Sequence, residues 1–278
     1  MREDVRALRA RATARLEAAG VAAAAREALD LWAHARGVPV AAAALDTEAP
    51  DAIVQRFEAM VARREAGEPL AYVLSWWPFR HLVLAVDGRA LIPRPETEQL
   101  VDLALARMRT GDAVDVGTGT GCLGLSLARE GAFASVTLTD ASVHALALAQ
   151  ENAERCGLGV HLVCGDLTAP LEDASRDLLV ANPPYLTTAE WDALAPAVQA
   201  WEPRLALDGG HDGLVPYRRL LEDGRRVLRP GGWMALEVDA TRARAVAALA
   251  HAHGWDAVTV QEDLFGRERF VLARKDAA

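Results

Sequence analysis

The stretch Asp112-Ala-Val-Asp-Val-Gly-Thr-Gly-Thr-Gly-Cys-Leu-Gly124 decides the fold. It passes from a strand-like apolar run through a set of glycines into the start of a helical pattern. Glycines at such a turn let backbone approach a ligand closely, and they aim helix N-terminal N–H groups at it. Gly119-Thr-Gly121-Cys-Leu-Gly124 also fits the dinucleotide fingerprint GxGxxG, with Asp140 roughly 20 residues beyond Gly121 as an NAD site requires. Alone, the motif does not separate two cofactors.

Outward from this turn, apolar runs at Ala113–Val116, Val136–Leu138, Val160–Val163, Leu178–Ala181 and Trp233–Val238 alternate with helical segments. That rhythm predicts an α/β fold, a mostly parallel sheet covered by helices on both faces. Upstream, from Met1 to about Arg64, the chain is rich in Ala, Leu, Arg and Glu, with Val5, Leu8, Ala12 and Leu16 at helical spacing. Breaks at Gly20, Gly37-Val38-Pro39 and Ala49-Pro50 predict three or four short helices, the last from about Asp51 to Arg64. Between the two parts, Phe79, Leu82, Leu84 and Val86 lead into Asp87-Gly88 and out through Leu91 and Ile92, which reads as a hairpin joining two domains.

The chain has 278 residues, 51% hydrophobic and 25% charged, enough apolar material for one large domain or a large and a small one. Lys and Arg number 30 against 39 Asp and Glu, and a formal charge of −9 argues against a broad phosphate-gripping surface. Cys122, Cys156 and Cys164 form no CxxC pair and leave one over under any disulfide pairing, so an intracellular, cytoplasmic protein is expected. The charged first twenty residues do not read as a signal peptide, and no apolar run approaches the roughly 18 residues of a membrane span. The histidines show no metal-ligand spacing, so no metal is expected.

Three acids tilt the glycine turn toward S-adenosylmethionine. Asp115, inside the strand end, suits a ligand ammonium and would repel a pyrophosphate. Asp140 ends the second strand, placed to accept from both ribose hydroxyls, and Asp166 ends the third, placed to accept from an adenine amino group. Leu178-Leu-Val-Ala-Asn182-Pro183-Pro184-Tyr185 then closes a buried strand with an amide, two prolines and an aromatic. The prolines cannot continue the ladder and they fix the backbone at the carboxyl edge of the sheet. A planar nitrogen is a poor nucleophile because its lone pair is delocalised. The Asn182 side-chain oxygen and the Pro183 carbonyl can take its two N–H bonds and point the lone pair at a methyl, with Tyr185 packing on the planar group.

These residues resemble the PrmC/HemK family, the protein-glutamine N-methyltransferases that modify peptide-chain release factors. The resemblance covers nearly the whole chain. It is carried by Gly67-Glu-Pro-Leu-Ala-Tyr72, Ile92-Pro-Arg-Pro-Glu-Thr-Glu98, Asp115-Val-Gly-Thr-Gly-Thr-Gly121, Asn182-Pro-Pro-Tyr185, Glu202-Pro203, Gly209-Gly-His-Asp-Gly-Leu214 and Pro230-Gly-Gly232. It implies a helical N-terminal domain that helps hold the protein substrate (1–75), a β-hairpin linker (76–95) and a seven-stranded class I S-adenosylmethionine-dependent methyltransferase domain (96–278). It also implies that Gly117, Thr118, Gly119, Thr120, Gly121 and Asp140 bind S-adenosylmethionine, with Leu167 and Asn182 on the cofactor wall. Asn182, Pro183, Pro184 and Tyr185 would hold the glutamine of a Gly-Gly-Gln motif. The chain departs from the family pattern at Ser75 and Asp239, where Gly is usual, and at Leu167, where Trp is frequent.

An adenine-specific nucleic-acid methyltransferase is the nearest rival, because a flipped base offers the same two N–H bonds. The acidic total and the lack of a target-recognition region weigh against it. A non-catalytic scaffold would need neither Asn182-Pro-Pro-Tyr185 nor the glycine turn, and an NAD oxidoreductase leaves the tetrapeptide unexplained. The expected partners are release factors, with no stable nucleic-acid or membrane binding and a monomeric state. Trp76-Trp77-Pro78-Phe79 reads as packing, although Phe79 could border the acceptor site.

Overall fold

The structure, a computed structural model, describes residues 3–194 and 196–277. The chain divides into two units, Met1–Ser75 and Trp76–Ala278.

In the first unit, β1 (Glu3–Asp4) pairs with β2 (Glu48–Ala49) beside the helices α1 (Val5–Ala18), α2 (Ala24–Arg36), α3 (Val40–Ala43), α4 (Asp51–Glu65) and α5 (Leu70–Leu74). Asp4 starts α1 by accepting at Oδ1 from the N–H groups of Arg6 (2.8 Å) and Ala7 (3.4 Å), donors that a helix start leaves free. Val5, Leu8, Ala12 and Leu16 are its buried face, as their spacing predicts. Trp32 and Phe57 meet edge to face, 5.4 Å between ring centres. Asp46 accepts from the Trp32 indole, and the Arg36 guanidinium holds its carboxyl below the usual range.

The second unit opens with β3 (Trp76–Phe79) and β4 (Leu82–Ala85), paired so that Phe79 faces Leu82. The hairpin turn is therefore Arg80-His81, not the expected Asp87-Gly88. Arg80 takes a φ of 51°, its N–H donates to Glu98, and its guanidinium is fixed by Glu130 and Asp102. Asp87 accepts instead from the Arg89 N–H at 3.0 Å in a separate turn, and Leu91 and Ile92 lie in no strand.

The sheet follows: α6 (Thr97–Arg107), β5 (Thr110–Val116), α7 (Cys122–Glu130), β6 (Ala132–Asp140), α8 (Val143–Cys156), β7 (His161–Cys164) and β8 (Arg176–Ala181). Then come α9 (Thr188–Asp192), α10 (Pro196–Trp201), α11 (Val215–Val227), β9 (Leu228–Glu237), α12 (Ala243–Ala252), β10 (Asp256–Glu262) and β11 (Glu268–Arg274). The strand order is β10-β11-β9-β8-β5-β6-β7; β11 is antiparallel to both neighbours, and the others share one direction. Both faces are covered. Leu178 and Val180 of β8 join one core with Leu100 and Leu138, while Leu179 and Ala181 join the other with Leu220 and Leu221. The chain steps from β5 outward to β7 and then back to β8 on the other side of β5, which leaves a crevice at the carboxyl ends. Asn152 of α8, fully buried, accepts from the Ala85 N–H (2.6 Å) and donates to the carbonyls of Ala85 (3.0 Å) and Thr120 (2.9 Å). It pins the hairpin and the glycine turn to one helix.

Ser75, at the end of α5, has a φ of 60°, the left-handed conformation in which a side chain is strained and glycine is not. Its hydroxyl returns part of that strain by donating to the Tyr72 carbonyl at 3.3 Å. Ser75→Gly is expected to raise stability by about 0.5–1 kcal/mol in urea unfolding; an unchanged or lower midpoint would show that the hydroxyl offsets the strain.

Candidate active site

A cavity of about 290 Å³ opens at the carboxyl ends of the central strands, walled by the glycine turn, the segment leading into α6, and residues before and within α11. Gly117, Thr118, Gly119 and Thr120 line it. Gly117 and Gly119 take φ of 72° and 56°, which only glycine adopts without strain.

Four of the turn's N–H groups are already committed. Those of Gly117 and Thr118 donate to the Thr139 carbonyl, both at 2.9 Å, and that of Gly121 to the Thr118 carbonyl, also at 2.9 Å. The Gly119 N–H donates to Asp140 Oδ2 at 2.9 Å, and Asp140 Oδ1 accepts from the Ser142 N–H at 2.9 Å. A pyrophosphate would find carboxylate where a dinucleotide site offers donors. Asp115 lies beneath the turn, 1% exposed, while Gly117 to Thr120 above it line the cavity. Its Oδ2 accepts from the Thr118 hydroxyl (2.6 Å) and the Gly124 N–H (2.9 Å), while Oδ1 is buried without a partner. Burial pushes its carboxyl up to about 6. Carboxylates at Asp140 and Asp166 on the wall, above the unpartnered buried Asp115 oxygen, fit a ligand with a ribose and a cationic group.

Asp166 and Leu167 also reach the wall, Asp166 paired with Arg219 at 2.8 Å. Gly121 does not, because it turns inward as the residue before α7. Asn182, Pro183 and Pro184 line the cavity just beyond β8. Tyr185 is not on the wall; it packs on the core formed with Tyr217 and Leu220, and burial raises its phenol above the ordinary range. Phe79 is likewise fully buried, against Leu100 and its neighbours. Gly209 supports the Asn182 segment: its N–H donates to the Leu186 carbonyl at 2.7 Å, and a Cβ there would fall 2.5 Å from the Pro184 oxygen.

Three wall or near-wall groups escape the sequence reading of roles. Arg94 lines the cavity and donates to both oxygens of Glu202, at 2.7 and 2.8 Å, joining two motifs far apart in the chain. Thr97 lines the cavity and accepts from Asn182 Nδ2 at 3.3 Å. Glu237, at the end of β9, is 2% exposed, and burial pushes its carboxyl up to about 7. A glutamate closing the apolar run Trp233–Leu236 was the available signal, since carboxylates rarely enter such strands.

Sheet order, the reversed β11 and a crevice at the switch point walled by the glycine turn together define a class I S-adenosylmethionine-dependent methyltransferase. A Pyrococcus furiosus methyltransferase shares the fold, with a TM-score of 0.54 and 19% identity over 79% of this chain and 98% of the other. A T. thermophilus 16S rRNA methyltransferase, solved with AdoMet and guanosine, gives a TM-score of 0.51 and 19% identity over 72% of this chain and 49% of the other. Residues 96–204 match the methyltransferase small domain, and residues 7–74 match the PrmC N-terminal domain. Release factor glutamine methyltransferase of Cereibacter sphaeroides is 43% identical over 98% of both chains, and that of Deinococcus radiodurans is 42% identical over 98% of this chain and 99% of the other. The chain belongs to the release factor glutamine methyltransferase family.

Because Glu237 holds its proton more tightly folded than unfolded, it favours the folded state below about pH 4.5, and that contribution disappears as pH rises through about 7. Glu237→Gln should therefore gain on the wild type by up to about 3 kcal/mol between pH 5 and pH 8 in urea unfolding. A pH-independent difference would rule out a raised Glu237.

Proposed function

We propose that this chain transfers a methyl group from S-adenosylmethionine to the side-chain amide nitrogen of the glutamine in the Gly-Gly-Gln motif of a peptide-chain release factor, in translation termination. The observation that carries this reading is the Asn182 amide on the cavity wall, its Nδ2 occupied by Thr97 and its oxygen left to accept. When bound, S-adenosylmethionine supplies an electrophilic methyl group on a positively charged sulfur. Asn182 Oδ1 and the Pro183 carbonyl accept the two N–H bonds of the glutamine amide and turn its lone pair toward that methyl. With that group bound, the new C–N bond would form at the expense of the methyl–sulfur bond, and the amide nitrogen held by Asn182 and Pro183 would give up one proton to solvent. Positioning and exclusion of water dominate over acid–base work, because a charged donor becomes neutral.

We assign Gly117 to Thr120, Asp140, Asp166 and Leu167 to the cofactor wall, with Asp140 accepting from the ribose hydroxyls. Asp115 and Gly121 shape the turn, and Pro184 and Tyr185 fix the Asn182 segment from behind. We assign residues 1–75 to docking of the release factor, residues 76–95 to a linker, and residues 96–278 to methyl transfer. In this reading the enzyme works as a cytoplasmic monomer and holds no nucleic acid stably, consistent with a formal charge of −9.

The test is incubation with labelled S-adenosylmethionine and a purified release factor, followed by mass spectrometry of the Gly-Gly-Gln peptide. One added methyl on the glutamine is expected; label elsewhere would overturn the substrate. Asn182→Ala should lower kcat by roughly 100-fold or more while cofactor affinity stays near that of the wild type. Asp140→Ala should do the reverse, weakening cofactor binding at least roughly tenfold by calorimetry, and an unaltered dissociation constant would remove Asp140 from the site.

A further inference from the structure

We infer that Thr97 and Glu237 are positioning residues that set which end of the Asn182 amide faces the acceptor, an inference that rests on the role proposed above for Asn182. Asn182 Nδ2 donates to Thr97 Oγ1 at 3.3 Å, and the Thr97 hydroxyl is hydrogen-bonded to the Glu237 carboxylate. Thr97 and Glu237 are each 2% exposed, and Glu237 Oε2 has no partner.

An amide has a donor end and an acceptor end of nearly the same shape, so packing alone does not choose between them. The Thr97 hydroxyl carries a single proton. While Glu237 is ionised it takes that proton, and Thr97 can then only accept from Asn182. Nδ2 must turn to Thr97, and Oδ1 is left toward the cavity, where a substrate N–H needs an acceptor. The flipped amide would set its own N–H bonds against those of the glutamine. Protonated Glu237 can donate to Thr97, which frees the hydroxyl proton for Asn182 Oδ1 and removes the constraint. The charged and titratable groups facing Glu237 are Arg94 and Glu96 before α6, Cys122 on α7, Arg269 on β11, Tyr185 after β8 and Tyr217 on α11. Tyr217 also donates to the Glu237 backbone carbonyl at 3.0 Å, which holds this strand end in place.

The test compares Thr97→Val, which keeps the shape and removes the hydroxyl, with Thr97→Ser, which keeps the hydroxyl. Release-factor methylation by Thr97→Val should lose roughly 10- to 100-fold in kcat with the S-adenosylmethionine dissociation constant within about twofold, and Thr97→Ser should recover most of the loss. Adding Thr97→Val to Asn182→Ala should cause little further loss, because the hydroxyl acts through Asn182. Wild-type kcat should fall on the acid side of about pH 7, and Glu237→Gln should abolish that limb. An unchanged kcat in Thr97→Val beside a large loss in Asn182→Ala would overturn this inference and leave the proposed function standing. An additive double variant, or an acid limb that survives Glu237→Gln, would also overturn it. No loss in Asn182→Ala itself would instead overturn the role assigned to Asn182.

Discussion

Two carboxylates hold the glycine turn, and the crevice exists because they do. Asp140 takes the Gly119 N–H from the side and Asp115 takes the Gly124 N–H from below, while the Thr139 carbonyl takes two more. With these N–H groups turned to protein oxygens, the turn keeps carboxylate rather than free donors at Gly119, where a dinucleotide site would offer an N–H to phosphate. Asp115 can do this only from inside the protein, where low dielectric strengthens each hydrogen bond it accepts and raises the penalty for leaving an oxygen alone. Its partners Thr118 and Gly124 both lie within the same glycine-rich stretch, so one quotation of sequence contains the carboxylate and most of what it restrains.

The motifs that surround this turn act mainly by holding one another. Arg94 grips Glu202 with two short bonds across more than one hundred residues of chain, and Asn152 ties the hairpin to the Thr120 carbonyl. The glycine segment at Gly209 lies so close behind Pro184 that no larger residue fits without moving the backbone. These contacts carry no reaction chemistry. They fix the wall against which the chemistry happens, and a wall misplaced by a fraction of an ångström would lose the alignment that methyl transfer needs.

Local patterns made much of this legible. Val5, Leu8, Ala12 and Leu16 announce α1, and the run Leu178–Ala181 followed by two prolines announces a buried strand with a fixed end. Patterns were blind where a residue's meaning depends on a distant partner. The hairpin turns at Arg80-His81 rather than at Asp87-Gly88 because Arg80 holds a left-handed conformation through contacts with Glu98 and Glu130, which no glycine advertises. The apolar-run reading passed over β10 and β11, since both carry charged ends and β10 is only partly buried. Sequence gives the place of Asp115 in the strand but not the direction of its side chain, which the structure buries beneath the turn. Sequence likewise does not give the packing of Tyr185, whose partly buried ring lies against the apolar core beside Tyr217.

Pro183 and Pro184, which end the ladder at β8, lack backbone N–H groups. Beside the Asn182 oxygen, this stretch of wall therefore carries no backbone N–H donor. A surface with an acceptor and no donors favours one of two side chains that are otherwise isosteric. A glutamine amide meets it with two protons, whereas a glutamate would bring a negative charge and further lone pairs against it. Under the role proposed for Asn182, deamidation of the acceptor would turn a substrate into a side chain that this surface disfavours, so the strand end would also discriminate by the chemical integrity of the residue it meets.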